Sequence, residues 1–266
     1  MSYITANGLQ IWCERKGEGE PLLFISGSGS DLRNKPGPLD GPLAKSFDMV
    51  AYDQRGLGRT DKPDGPYTMG DYAEDAAGLL DELDWETASV MGVSFGGMVA
   101  QELAVRHPHR IRKLVLCCTS PGGEGGASYP LHTLIGMDPE GEARKMIPIS
   151  DTRHDANWQA ANADAYAAML AFRMNNPWAD EPRRALGAEL QLLARKDHDV
   201  WDRLPAITAP TLVCGGRYDG IALPEAQSRL ADRIPNAQLR MFEGGHMFLI
   251  QDRAAFPAIS DFLQAP

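Results

Sequence analysis

The sequence has no run of about 18 or more uninterrupted apolar residues, the length at which a membrane-crossing helix becomes a candidate. Its opening, MSYITANGLQIWCERKG, lacks the charged-then-apolar order of a secretory leader. Net positive charge is also missing. Lys and Arg number 26 against 36 Asp and Glu, a formal charge of −10. That disfavours nucleic acid, whose binding needs a basic face to neutralise phosphates, and an anionic membrane surface. Cysteine is scarce: Cys13, Cys117, Cys118 and Cys214 lie in or beside apolar runs, with no C-x-x-C and no Cys/His spacing suited to zinc. They read as buried, reduced thiols. There is no G-x-x-x-x-G-K-[ST] and no G-x-G-x-x-G opening a helix, the two glycine patterns that cradle phosphates. Internal repeats and low-complexity tracts are missing too. The expectation is a cytoplasmic chain acting on a small molecule, with no membrane or nucleic-acid partner, no metal and no organic cofactor; a homodimer is left open.

What is present is a rhythm of short apolar runs. Residues 9–15 (LQIWCER) alternate as a half-exposed strand does. Residues 21–25, 47–52, 87–93, 112–118, 210–214 and 238–242 are compact apolar runs suited to strands buried on both faces, as in a parallel sheet. Helical spacing falls between them, over 69–83, 96–107, 224–233 and 254–264. Thr68 is placed as the N-cap of the first of these helices, with Asp71 three residues on; Pro108 stops the second. Strands alternating with helices predict an α/β protein with a mostly parallel, doubly wound sheet. From 121 to 197 the rhythm breaks: a flexible PGGEGGAS stretch leads into helical sequence rich in Ala, Met and aromatics. We therefore expect a core of residues 1–120 and 198–266 with an inserted helical cap at 121–197, some of whose aromatics, Trp178 among them, face a pocket.

The chemistry centres on Gly92-Val93-Ser94-Phe95-Gly96. This G-x-S-x-G pattern is common by chance, but here a strand run precedes it and a helical run follows. A sharp strand-to-helix turn forces the Ser into a strained backbone conformation and needs small neighbours. It also sets the hydroxyl at a helix N-terminus, which favours developing negative charge. A serine hydroxyl needs a base to become a nucleophile. Of six histidines, His246 stands in GGH just after a strand run, on a loop able to project its ring over the sheet edge. The other five lie at a helix end or in and near the insert. Asp219, in GGRYDG after another strand, is placed to hold the imidazole. The rival position, after the run 112–118, offers no acid until Glu124.

With GVSFGG, GRYD and GGH in the order Ser, Asp, His, the chain resembles the α/β-hydrolase superfamily over nearly its whole length. Asp53-Gln54-Arg55-Gly56-Leu57-Gly58-Arg59-Thr60 is similar to that family's D-x-R-G-x-G-x-S stretch, with Thr60 in place of Ser. By texture it looks like the small esterases, 3-oxoadipate enol-lactonases and aminoacrylate-hydrolase-type proteins. The resemblance implies a catalytic triad of Ser94, Asp219 and His246, and internal anchoring by Asp53 and Arg55. It also implies an oxyanion hole from the backbone N–H groups of Ser28 and Phe95. There the chain departs from its family, reading Ser26-Gly27-Ser28-Gly29-Ser30 where His-Gly-x-G is usual. Backbone donors survive that change; the loop's buttressing does not. Gly27, Trp178 and Met247 are the expected substrate contacts. The activity implied is hydrolysis of an ester or lactone of a small, largely apolar substrate. Carbon–carbon bond hydrolysis and cofactor-free perhydrolysis use the same triad, and a non-catalytic binding member of the fold is the remaining alternative. A serine at the elbow argues against the epoxide hydrolase and haloalkane dehalogenase chemistries, which use Asp there.

Overall fold

Eight strands form one sheet in a computed structural model that describes residues 1–266. They are β1 (Ser2–Ala6), β2 (Leu9–Lys16), β3 (Pro21–Ile25), β4 (Asp48–Tyr52), β5 (Ala88–Val93), β6 (Ile111–Cys117), β7 (Thr211–Gly216) and β8 (Ala237–Phe242). The spatial order is β1-β2-β4-β3-β5-β6-β7-β8. Only the β1–β2 and β2–β4 pairings are antiparallel. Chain order reverses between β3, which pairs with β4 on one side, and β5 on the other. That is the switch point where open α/β sheets leave a crevice at the strand C-termini.

Each strand expected from an apolar run is found within two residues of its expected ends. β1 was not expected: SYITA is exposed at three of its five positions, so too few apolar residues mark it. Helices α1 (Met69–Glu82), α2 (Phe95–Arg106) and α7 (Pro224–Arg233) cover one face of the sheet, and α9 (Ala255–Gln264) covers the other. α1 begins with the expected capping box. Thr68 Oγ1 accepts from Asp71 N at 3.1 Å, and Asp71 Oδ2 accepts from Thr68 N at 2.8 Å, which satisfies two donors that a helix start leaves unpaired.

Between β6 and β7 the chain forms no strand. It forms α3 (Pro139–Ser150), α4 (Ala156–Ala161), α5 (Ala163–Met174) and α6 (Arg184–Lys196). Ala143, Ile147 and Leu170 bury one small core within this segment, while Leu131, Leu134 and Met146 pack on Ile221, which follows β7. α6 crosses the turn after β4 at backbone contact, where a Cβ on Gly187 would stand 1.9 Å from the Gly56 carbonyl oxygen. No helix of the chain is long and apolar enough to cross a membrane.

Candidate active site

The turn from β5 into α2 puts Ser94 at φ 55°, ψ −116°, a region that costs a non-glycine residue about 1–3 kcal/mol. The surroundings hold it there. Ser94 N–H donates to the Cys117 carbonyl of β6 at 2.8 Å, and the Ser94 carbonyl accepts from Gly97 and Met98 at the start of α2. The turn sits tightly against the end of β3: a Cβ on Gly96 would meet the Ile25 oxygen at 2.0 Å, so no larger residue fits.

Asp219 follows β7 and is 1% exposed. Its Oδ1 accepts from the Ile221 and Ala222 N–H groups at 2.8 and 2.9 Å. These bonds aim the carboxylate at His246, which follows β8. His246 Nδ1 lies 3.0 Å from Asp219 Oδ1 and 2.9 Å from Oδ2, and Nε2 lies 2.8 Å from Ser94 Oγ. The structure thus brings together the three residues that the sequence had singled out. With Nδ1 donating to Asp219, Nε2 is left to accept the serine proton, so the arrangement can activate Ser94 as a nucleophile.

The insert supports this arrangement directly. The last turn of a helix leaves carbonyls unpaired, and those at the end of α3 are taken by the loops that carry Asp219 and His246. Ser150 O accepts from His246 N at 2.6 Å and Ile149 O accepts from Gly220 N at 3.0 Å, while Thr152 N donates to Tyr218 O at 2.9 Å. Gln251, on the short helix α8 (Phe248–Gln251), accepts from Gly245 N at 2.8 Å and donates to the buried Asp151 at 3.1 Å. Sequence reasoning missed these supports because their partners lie far apart in the chain.

The loop after β3 abuts the same turn. A Cβ on Gly27 would lie 3.5 Å from Ser94 Cβ, and Gln54 Nε2 ties the loop by donating to Ser26 O at 2.8 Å. Neither Ser28 N–H nor Phe95 N–H donates to any acceptor of the chain. Where the family's usual histidine is missing, Gln191 of α6 provides a buttress, accepting from Gly29 N at 2.8 Å.

The turn 53–60 anchors as the resemblance implied. Asp53 accepts from Leu32 N and Arg59 N at 2.8 and 2.9 Å, and Arg55 pairs with Asp75 of α1 through two bonds of 2.6 and 2.7 Å. Burial pushes the Asp53 carboxyl up to about 6 despite those two amides. Thr60 fills the usual serine position, donating to Asp53 O at 2.6 Å and accepting from Trp12 N at 2.9 Å. Trp178, between α5 and α6, meets the loop after β3. Its Nε1 donates to Asn34 Oδ1 at 3.1 Å, and the Arg33 guanidinium lies 4.0 Å from its ring centre. Met247, next to His246, opens α8 and is half exposed.

The model of the alpha/beta hydrolase fold matches residues 20–252 of the chain. A 2-hydroxymuconate semialdehyde hydrolase of Pseudomonas putida is 32% identical over 275 residues, covering 95% of this chain and 90% of that protein. A poly(3-hydroxyalkanoate) depolymerase of Ectopseudomonas oleovorans is 32% identical, covering 92% of this chain and 84% of that one. Among solved structures, the enol-lactonase of Burkholderia xenovorans superposes with a TM-score of 0.80 at 27% identity, covering 99% of this chain and 100% of the other.

Proposed function

Given that the chain belongs to the α/β-hydrolase fold family, we propose that it is a serine hydrolase that cleaves a carboxylic ester or lactone through an acyl-enzyme on Ser94. The observation that carries this reading is the unbroken relay from Ser94 Oγ through His246 to the buried Asp219, with links of 2.8 and 2.9 Å. His246 Nε2 takes the proton as Ser94 Oγ attacks the substrate carbonyl, and Asp219 stabilises the imidazolium that forms. The Ser28 and Phe95 N–H groups donate to the tetrahedral oxyanion, aided by the positive end of α2. Collapse expels the alcohol with the proton from His246. Water, deprotonated by the same ring, then attacks the acyl carbon and releases the acid.

The insert 121–197 acts in this scheme as a cap that walls the pocket. Gly27, beside Ser94, and Met247, beside His246, face the substrate, while Trp178 shapes the pocket by seating the insert on the core. The test is turnover of p-nitrophenyl butyrate. Ser94→Ala is expected to lower kcat by about 10³-fold or more with an unchanged circular dichroism spectrum, and a fluorophosphonate is expected to label the parent protein at Ser94. Retention of most of the activity by the variant sinks the assignment.

The 32% identity to a 2-hydroxymuconate semialdehyde hydrolase favours a second reading, carbon–carbon bond hydrolysis by the same triad. Comparing kcat/KM for a vinylogous 1,5-diketone with that for simple esters and lactones separates the two.

A further inference from the structure

Arg195, in the last turn of α6, is buried but faces no carboxylate. Its Nη2 donates to Ser128 Oγ and, at 3.5 Å, to the Tyr129 carbonyl, while Nη1 has no acceptor. Beside it, His198 is 7% exposed with neither ring nitrogen partnered, and the fully buried Ser120 leaves its Oγ unpaired. These three residues line one cavity of about 300 Å³, with Met98 and Leu131 among its apolar walls and no Asp or Glu among its lining residues.

A buried guanidinium without a counter-charge is strongly unfavourable, and buried donors are ordinarily paired. Burial alone lowers Arg195 to about 10, and burial, helped by Arg203 and Arg195 and opposed by Glu102 and Asp199, holds the His198 imidazole down to about 4. At neutral pH the cavity therefore presents the buried Arg195 guanidinium, the neutral His198 imidazole and the free Ser120 hydroxyl, with the exposed Lys196 adding positive charge to its lining. Water would satisfy the donors and leave the charge unbalanced. A carboxylate satisfies both, since its planar pair of oxygens matches the guanidinium. Met98 lies one helical turn beyond Ser94 on α2, and Ser120 lies three residues beyond Cys117, whose carbonyl holds Ser94 N–H. The cavity is therefore built from the same elements as the nucleophile's turn.

We propose that this cavity is a binding site for a small carboxylate, its charged end on Arg195 and Ser120 and its carbon body against Met98 and Leu131. The carboxylate is either the far end of the substrate or a separate small acid.

The experiment is thermal melting of the full chain with sodium butyrate or benzoate, at constant ionic strength made up with sodium chloride. The expected result is a saturable rise in Tm that is lost in Arg195→Gln and weakened several-fold in Ser120→Ala, a smaller change that keeps the result readable if the arginine variant does not fold. Running the titration on protein phosphonylated at Ser94 separates this cavity from acid bound at the nucleophile itself. No rise beyond that with chloride, or a rise unchanged in both variants, overturns the proposal. The source is then read from the ratio of kcat/KM for p-nitrophenyl hydrogen glutarate to that for p-nitrophenyl butyrate. A preference for the half-ester that collapses at least 10-fold in Arg195→Gln assigns the carboxylate to the substrate. A ratio unchanged by the substitution, alongside the lost Tm rise, assigns it to a separate small acid.

Discussion

Ser94 is held at positive φ by contacts around it rather than by any preference of its own, so its role in reactivity and its cost to stability can be separated. Glycine occupies this conformation without a Cβ penalty. Ser94→Gly is therefore expected to be inactive yet more stable than Ser94→Ala by about 1 kcal/mol, read as the difference in urea midpoint. Asp219 tests a different property. Asp219→Asn keeps the shape but turns the Nδ1 partner into a group that favours the wrong imidazole tautomer. A loss in kcat of about 10⁴-fold is expected, with KM little changed. These residues could be read from the sequence because each stands directly after a strand with small neighbours, in the family's chain order. Gln191 and Arg195 could not be: both sit mid-sequence in an ordinary amphipathic helix, and only folding shows that one meets Gly29 and the other meets no acid.

At the scale of elements, α6 is joined to the loop after β3 by a charged cluster. Asp31 pairs with Arg33 at 2.6 Å and with Arg184 at 2.7 Å, and Arg33 also reaches Glu181 at 2.6 Å. Burial pushes the Asp31 carboxyl up, but the bonds from Arg33 and Arg184 more than offset it and hold it near about 2. Its folded value is thus below its ordinary one, so its contribution is complete above pH 4 and is lost as the pH falls from about 4 to 2. The loss amounts to about 2 kcal/mol. A plot of unfolding free energy against pH should show this drop in the parent protein and a flatter acid limb in Asp31→Asn. The helices α1, α2, α7 and α9 and seven of the eight strands were plain from periodicity. The individual helices between β6 and β7 were not, and α5 least of all, because its Ala-rich sequence shows little contrast between faces and exposes even Phe172.

For the molecule as a whole, the segment 121–197 reads in sequence as an inserted helical cap, and its hydrogen bonds tie it to the loops of the candidate site. The carbonyls at the end of α3 hold the loops carrying both Asp219 and His246. Replacing residues 121–197 with a short linker is therefore expected to abolish turnover even of p-nitrophenyl acetate, whose acyl group needs no capped pocket. Fluorophosphonate labelling at Ser94 should fall in parallel. Activity on acetate surviving the deletion would contradict this dependence.

The attachment has a kinematic consequence. The segment is fastened to the rest of the chain by the end of α3 at the loops carrying Asp219 and His246, by α6 at Gly29, Asp31 and the backbone of Gly56, and by Trp178 at Asn34. The side-chain bonds of α4 and α5, by contrast, stay within the segment, from Arg144 to Tyr166, from Gln159 to His154 and from Asn162 to Trp158. The edge formed by α4 and α5 is therefore the least fastened part of the segment, and amide hydrogen exchange is expected to be faster there than along α3 and α6.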